Sequence, residues 1–371
     1  MSEALALYVH WPFCVSKCPY CDFNSHVRES VDQDRWRDAL LAELAHEAGV
    51  APQRPLTSIF FGGGTPSLMP PATVAALLEA AERHWGFAPG IEISLEANPS
   101  SVEAARFADL AAAGVNRVSL GLQSLDDAAL HFLGRAHDVG EGLDALDTAQ
   151  KAFDRVSFDL IYALPGQSAE DWGAMLERAL GFGTTHLSLY QLTIEPGTRF
   201  AAMAARGELV PTDPDFAADL FELTRASTAA AGLPAYEISN HAQPGEESRH
   251  NLTYWRYGDY LGIGPGAHGR RRGVATARIK KPENWLSALD RAGHGIELEE
   301  QLSPENRGRE ALVMGLRLEE GVPLDRIDGA IDPAAIEHLS GLGLIDRSRD
   351  RLRVTAQGML LLDAILRQIA I

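Results

Sequence analysis

The sequence predicts an α/β protein with a partial, TIM-like (β/α)6 barrel and a C-terminal, mainly helical cap that resembles a winged helix. Two patterns indicate this fold. Over residues 1–233, short β-rich apolar runs alternate with longer segments of helical period, and over residues 302–371 a compact helical pattern returns. The stretch 234–301 has little periodicity and is expected to be a connecting segment.

Each predicted barrel strand precedes a helical segment. Repeated βα units imply a parallel sheet with right-handed crossovers, and six units are too few to close an eight-stranded barrel. The predicted strands are 5–10, 57–61, 91–97, 117–122, 156–162 and 186–193. The predicted helices are 32–48, 72–85, 102–113, 126–133, 140–153, 169–182 and 214–231.

The cap is expected to contain helices 304–317, 333–342 and 356–369 and a β-hairpin over 343–354. A DNA-binding role is disfavoured, because the formal net charge is −18 and no broad basic stripe is present. The basic run from Arg270 to Arg272 is expected to be a solvated surface turn, with an anion contact as the alternative.

Composition bounds the class of protein. The chain has 371 residues, of which 46% are hydrophobic, enough for a sizeable core. Its apolar stretches are too short for a membrane span, and the N-terminus lacks the basic region of a cleaved signal. We therefore expect a cytoplasmic protein, with peripheral membrane association left open.

Polar residues follow every predicted strand. The C-terminal ends of strands in a βα barrel form one face that carries the site, so we expect these six segments to meet at one mouth. In chain order they are the cysteines after the first strand, then Gly62 to Thr65, Glu96 with Asn98, Gln123 with Ser124, Asp159, and Gln191 with Thr193.

The only cysteines of the chain, Cys14, Cys18 and Cys21, form a C-x3-C-x2-C pattern. A [4Fe–4S] cluster is usually held by four thiolates, so three leave one iron without a protein sulfur. Such an iron is able to bind a small molecule, and the known use of this spacing is chelation of S-adenosylmethionine (SAM).

Three alternative roles for the cysteines are disfavoured. A structural zinc site needs four ligands, so His10 or His26 would have to supply the fourth. A disulfide framework is disfavoured by the odd number of cysteines. Three unrelated buried cysteines remain an alternative, which is disfavoured because the rest of the chain contains no cysteine.

Each of the remaining polar residues has an ordinary structural interpretation beside the functional one. The triple glycine is either a tight turn or a backbone that approaches a ligand closely. Glu96 is either an ion-paired acid or an acceptor for a ribose or ammonium group, and Asp159 either caps a loop or binds a polar ligand. Gln123 and Arg135 are able to reach a hydroxyl and a carboxylate, but alone they are ordinary surface residues.

Four segments carry a family resemblance: Tyr-Val-His-Trp-Pro-Phe-Cys at 8–14, Cys-Pro-Tyr-Cys at 18–21, Phe-Gly-Gly-Gly-Thr-Pro at 61–66 and Asp-Leu-Ile-Tyr-Ala-Leu-Pro-Gly at 159–166. Over essentially its whole length the chain resembles the radical SAM family of oxygen-independent coproporphyrinogen III oxidases and their relatives. The resemblance implies that Cys14, Cys18 and Cys21 hold the cluster. It also implies SAM contacts, some to a second SAM in the true oxidases, at Tyr8, Tyr20, Gly63, Gly64, Thr65, Glu96, Gln123, Arg135 and Asp159.

Two departures place the resemblance within that family. Phe23 stands where the true oxidases carry a further cysteine, and only seven residues precede Tyr8, where they carry a long arm. Both differences favour the HemW branch, whose members resemble haem chaperones rather than decarboxylases.

Residues 250–255, His-Asn-Leu-Thr-Tyr-Trp, resemble the haem-binding signature of that branch. The resemblance implies haem contacts at His250, Asn251, Tyr254 and Trp255. An imidazole is able to ligate haem iron, and aromatic rings pack against a porphyrin. The alternative is a structural hydrogen bond of His250 in an aromatic corner, and His241 and His268 are weaker candidates.

The resemblance thus implies a haem chaperone that binds a [4Fe–4S] cluster, SAM and haem. Its implied partners are haem-accepting apoproteins, with membrane-bound respiratory cytochromes as candidates, and no nucleic acid. The alternative function is an oxygen-independent coproporphyrinogen III oxidase, which would decarboxylate propionates by radical SAM chemistry. No catalytic residue is assigned.

Overall fold

The computed structural model describes residues 4–371. Its strands are β1 (Leu5–Trp11), β2 (Phe13–Cys14), β3 (His26–Val27), β4 (Leu56–Gly63), β5 (Phe87–Ala97), β6 (Arg117–Gln123), β7 (Arg155–Tyr162), β8 (His186–Gln191), β9 (Asn240–Ala242), β10 (Asp259–Ile263), β11 (His268–Arg271), β12 (Val274–Arg278), β13 (Ile296–Gln301), β14 (Val322–Pro323), β15 (Ile345–Arg347) and β16 (Arg351–Val354).

The α-helices are α1 (Gln33–Val50), α2 (Pro71–Trp85), α3 (Ser101–Ala104), α4 (Phe107–Ala112), α5 (Asp127–Phe132), α6 (Val139–Ala152), α7 (Ala169–Leu180), α8 (Arg199–Ala205), α9 (Pro214–Ala230), α10 (Arg249–Trp255), α11 (Pro282–Ala292), α12 (Pro304–Gly315), α13 (Pro333–Gly341), α14 (Ala356–Met359) and α15 (Leu362–Ile369). Within the described residues, no helix is both long and apolar enough to span a membrane.

The main sheet has the order β13-β12-β11-β10-β1-β4-β5-β6-β7-β8-β9. The pairs from β10 across to β8 are all parallel, which confirms the six predicted parallel strands and the mixed α/β fold. A seventh parallel strand, β10, lies beside β1 and comes from the stretch 234–301.

That stretch contributes strands to both edges of the main sheet. β9 pairs antiparallel with β8, and β11, β12 and β13 extend the other edge antiparallel from β10. These strands have three to six residues each, too few for a distinctive pattern of alternating apolar and polar residues. The division at 233 and 301 stays a prediction.

The expectation of a solvated turn at Arg270 to Arg272 is wrong for its first two residues. Arg270 and Arg271 lie buried on β11. Arg271 pairs through Nε with Glu47 at 3.1 Å, because α1 packs behind this edge of the sheet.

Two hydrophobic cores organise the chain. The larger lies between the parallel sheet and its helices, and the smaller lies within the C-terminal region. In that region β14, β16 and β15 form a small antiparallel sheet, which confirms the predicted hairpin. The predicted helix 356–369 is divided into α14 and α15.

Local sequence signals explain several helix starts. Asp138 and Ser168 each accept a hydrogen bond from the third helical residue, which bonds back through its own carboxylate. Such capping boxes satisfy two otherwise free backbone N–H groups at a helix start. They fix the starts of α6, which follows α5, and of α7, which follows β7.

Candidate functional site

A cavity of about 770 Å³ opens where the parallel strands end. Two sets of residues singled out from the sequence line it together. Strands β1, β4 and β5 contribute Tyr8, Gly63 and Glu96, and α10 contributes the four motif residues His250, Asn251, Tyr254 and Trp255. The fold therefore brings the two motifs, far apart in sequence, to one space.

The remaining residues with implied SAM contacts do not line this cavity. Gly64, Thr65 and Arg135 lie against the cysteine loop, Tyr20 interacts with Cys18 and Arg135, and Asp159 lies in the barrel interior close to Glu96. Gln123 ends β6 with a positive φ of 68°. Their roles toward SAM stay predictions.

Each cysteine sulfur has a polar neighbour. Thr65 Oγ1 lies 3.5 Å from Cys14 Sγ, and Ser25 Oγ lies 3.9 Å from Cys21 Sγ. Arg135 donates from Nη1 to Cys18 Sγ at 3.5 Å. Because hydrogen bonds to sulfur and a nearby cation favour the thiolate, these neighbours suit three cluster-binding thiolates.

Burial acts in the opposite direction on two of the thiols. It raises the pKa of Cys14 and of Cys21, and the neighbouring cysteines raise it further. The positive charge of iron held by these cysteines would offset that effect, since a coordinating thiol is deprotonated. The donor set therefore fits a cluster held by three thiolates.

A hydrogen-bonded chain links two of the three cysteines. Arg135 Nη2 donates to Asn98 Oδ1 at 2.7 Å, and Asn98 Nδ2 donates to Thr65 Oγ1 at 3.0 Å. Arg135 also contacts Cys18 and Thr65 contacts Cys14, so the hydrogen-bonded chain runs from one sulfur to the other.

The zinc alternative gains no support. Both ring nitrogens of His10 are engaged, Nδ1 with Tyr8 Oη at 2.9 Å and Nε2 with Asn24 O at 3.0 Å. His26 Nε2 contacts Asn24 Oδ1 at 3.2 Å.

The glycine run is packed against the end of β1. A Cβ at Gly63, whose φ is +117°, would lie 2.6 Å from His10 Cε1, and one at Gly64 would lie 2.7 Å from Phe13 O and 3.0 Å from Cys14 Sγ. Only glycine allows this approach. The turn also directs Gly63 N–H to Glu96 Oε2 at 3.1 Å.

Two carboxyl groups stand close together inside the barrel. Burial, with the neighbouring Asp159 second, raises the pKa of Glu96 to about 8. Burial raises the pKa of Asp159 to about 6, against hydrogen bonds from Ser188 and Ser119. A cationic ligand beside Glu96 would restore its charge, because an opposite charge favours the ionised form.

His250 is held by ring contacts, and within the described residues its buried Nδ1 has no hydrogen-bond partner. Its ring stacks on Phe60 at a centroid distance of 5.0 Å and meets Tyr254 edge-on at 6.0 Å. Burial lowers its pKa to about 4, so the ring is neutral at pH 7 and keeps a lone pair for a metal. The structural hydrogen bond considered for this ring is therefore not formed at Nδ1.

The other two histidine candidates differ from His250. His241 Nδ1 is bonded to Thr228 Oγ1 at 2.9 Å, and the ring does not line the cavity. His268 does line the cavity, at an exposed position on β11.

Comparison with known proteins places these motifs in a family. Residues 8–179 match the radical SAM superfamily, and residues 302–361 match the HemN C-terminal domain. The mouse protein called radical S-adenosyl methionine domain-containing protein 1, mitochondrial, is 42% identical over 98% of this chain and 83% of its own. The protein called heme chaperone HemW is 39% identical in Mycobacterium tuberculosis H37Rv and 37% identical in Escherichia coli K12, over 98% of this chain in each case and 94% and 97% of theirs.

The chain belongs to the HemW family of radical SAM proteins. Membership of the superfamily implies a [4Fe–4S] cluster and SAM as cofactors. The solved structure of coproporphyrinogen III oxidase (HemN) from Escherichia coli, described as a radical SAM enzyme, superposes with a TM-score of 0.83 over 98% of this chain and 89% of that one. At 24% identity this likeness shows the fold alone.

The cavity of this HemW-family protein also contains residues that the sequence analysis missed. Phe60 on β4 supplies the ring beneath His250, and Lys280 and Arg317 bring positive charge. Phe60 lies within the apolar run of β4, so its sequence context is that of an ordinary core residue. No sequence signal marks Arg317, because it reaches the cavity from the C-terminal region.

Proposed function

We propose that this protein is a haem chaperone that binds a [4Fe–4S] cluster, SAM and haem, and passes haem to acceptor apoproteins. The observation that carries the proposal is the shared cavity. His250, with Nδ1 unpartnered among the described residues, faces the same space as Tyr8, Gly63 and Glu96. The names of the HemW relatives support haem as the cargo.

The aromatic walls fit a flat, largely apolar ligand. Tyr8, Phe60, Tyr254, Trp255 and Tyr260 all line the cavity. Its volume is within the usual range of ligand sites, which are lined mainly by apolar and aromatic side chains with a few polar groups. In this proposal His250 ligates the haem iron, and Asn251, Tyr254 and Trp255 contact the porphyrin or its edge.

SAM is proposed to lie on the strand-end side of the cavity, next to the cysteine loop. When bound, the cluster supplies one-electron chemistry to SAM. The chain's own residues orient the ligand: Gly63 and Gly64 allow close backbone approach, and Glu96 accepts from an ammonium or hydroxyl group. Tyr20, Thr65, Gln123, Arg135 and Asp159 complete the proposed SAM set. The proposal leaves open whether these residues bind one SAM molecule or two.

The proposed partners are apoproteins that take up haem, and membrane-bound respiratory cytochromes are the candidates to test first. A direct measurement is the transfer of haem from the loaded protein to such an apocytochrome in vesicles. Peripheral association with the membrane stays a prediction, and it applies if the acceptor is a membrane-bound cytochrome.

A hemin titration of the reconstituted protein tests the proposal. We expect a shift of the Soret band in the wild-type protein and its loss or displacement in His250→Ala, while circular dichroism stays unchanged. His241→Ala is the matched control, because His241 is equally buried and lies outside the cavity. An unchanged Soret shift in His250→Ala would remove His250 as the ligand.

Two further outcomes would contradict the chaperone function itself. One is the absence of hemin binding to the wild-type protein. The other is anaerobic conversion of coproporphyrinogen III to protoporphyrinogen in the presence of SAM and a reductant, which would support the oxidase alternative.

A further inference from the structure

Two cations line the cavity, and neither is neutralised by the described part of the chain. Lys280 lies between β12 and α11, and Arg317 follows α12 in the C-terminal region. Within residues 4–371, neither side chain forms an ion pair or a side-chain hydrogen bond, and the Arg317 guanidinium lies 5.6 Å from the centre of the Trp255 ring.

Lys280 is exposed and Arg317 is half-buried. By contrast, three buried arginines of the chain are each paired with a carboxylate. Arg270 contacts Glu310, Arg271 pairs with Glu47 and Glu299, and Arg117 pairs with Glu92. In a chain with 51 acidic and 33 basic residues, carboxylates to pair with a cation are abundant. Two unpaired cations at one cavity are therefore available to a ligand with negative charge.

The acids of the cavity have other partners. Glu96 accepts the Gly63 N–H, and Glu237 accepts hydrogen bonds from Ser239 N at 3.1 Å and from Asn240 Nδ2. Burial raises the pKa of both glutamates, which weakens their repulsion of an anion. Asp22 is the remaining acid of the lining, and it lies at an exposed position.

From these contacts we propose that Arg317 and Lys280 recognise the carboxylate side chains of the tetrapyrrole, so that the C-terminal region selects a ligand with free carboxylates. The inference rests on the proposed function, because it takes the cavity as the haem site. Arginine is suited to this role, since its planar fork donates two hydrogen bonds to one carboxylate. The Trp255 ring restricts the guanidinium and links carboxylate recognition to the motif helix.

The test compares hemin with hemin dimethyl ester, in which both carboxylates are esterified, on the same set of full-length variants. We expect the wild-type protein to bind hemin with a Kd at least about tenfold lower than that for the ester. A factor of about ten corresponds to the free energy of one charge-assisted hydrogen bond. Arg317→Gln and Lys280→Gln should each weaken hemin binding and leave ester binding unchanged. The preference for hemin then shrinks in both variants.

Matched controls are available close by. Arg307→Gln removes an exposed arginine of α12, and Lys281→Gln removes the lysine next to Lys280, and neither lines the cavity. Both should keep the full preference for hemin. Arg317→Lys should keep part of it, because the charge remains while the planar fork is lost.

The outcomes separate the two proposals. If hemin binds but esterification makes no difference, or if both variants keep the full preference, the inference is overturned and the haem site stands. If the wild-type protein binds neither ligand, the proposed function fails and the inference fails with it. If Arg317→Gln does not fold, the Lys280→Gln and Arg317→Lys preferences decide the matter.

Discussion

At the scale of single residues, the cysteine loop is supported from three parts of the chain. Thr65 follows β4, Arg135 follows α5, and Ser25 lies on the loop itself, and each contacts a different sulfur. The thiols are only partly exposed, so the loop shields a bound cluster on one side.

We predict that Cys14→Ser, Cys18→Ser and Cys21→Ser each abolish cluster binding, because two thiolates are too few to retain a cubane against solvent. The measurement is iron and acid-labile sulfide per chain after anaerobic reconstitution. Ser16→Ala, an exposed change in the same loop, is the control and should bind normally. A triple Cys→Ala variant that retained full iron and sulfide would place the ligands elsewhere.

Glu96 gives a prediction about pH. Its folded-state pKa of about 8 is raised above the ordinary 4.5, so its contribution to stability is present below pH 4.5 and lost as the pH rises through 8. Glu96→Gln cannot ionise. We expect the variant to gain stability relative to the wild-type protein between those two pH values.

Urea unfolding of the SAM-free protein at several pH values measures this difference. Glu82→Gln, at an exposed position of α2, controls for the loss of one acid. A difference between Glu96→Gln and the wild-type protein that stayed constant with pH would show that the pKa of Glu96 is not raised in the folded state.

At the scale of secondary structure, the helix that carries His250 is held by a buried ion network. Glu92 on β5 accepts from the backbone N–H of His250 at 3.1 Å and from Ser248 Oγ at 3.4 Å. The same carboxylate pairs with Arg117 at 3.2 Å and Arg155 at 2.8 Å. Burial raises the pKa of Glu92, but the two arginines outweigh it and keep the pKa below its usual value.

We predict that Glu92→Gln lowers the free energy of unfolding by about 3–5 kcal/mol, because it leaves the buried Arg117 charge without its partner. Denaturant unfolding at neutral pH measures the loss. Asp290→Asn, which breaks an exposed pair with Arg35, should cost no more than about 1 kcal/mol. Equal small losses in both variants would mean that the network does not hold α10 in place.

The main sheet shows which elements are predictable from the sequence and which are not. The six parallel strands were predictable because each is an apolar run followed by a helical segment, and the mouth was predictable because polar residues follow each run. The antiparallel strands at the two edges of the main sheet were not predictable. Arg271 stands in a run of arginines that is typical of a surface, and it is buried only because Glu47, 224 positions away in the chain, meets it.

The site likewise contains residues that the sequence displays as a motif and residues that only the fold reveals. His250 and its neighbours form a local motif that the sequence displays. Phe60, Glu92 and Arg317 act on that motif from three other places in the chain, and their pairings depend on the tertiary fold. A single sequence records no such distant pairing.

At the scale of the whole molecule, residues from outside the C-terminal region pack against its core. Phe221, Ile238 and Tyr257, which precede residue 302, pack against the C-terminal core. Arg317 extends from the C-terminal region to the cavity that the barrel strands form. A ligand that contacts both regions should therefore stabilise both.

We predict that saturating hemin slows amide hydrogen exchange in α12 and around Arg317 as well as in α10. A ligand at about 100 times its Kd stabilises the folded state by about 2.7 kcal/mol, and exchange by local opening slows only where the ligand makes contact or restrains structure. Helix α6, on the outside of the barrel, serves as the internal reference. In Arg317→Gln the added protection of α12 should disappear while that of α10 remains. Protection confined to the barrel in the wild-type protein would show that the C-terminal region does not take part in haem binding.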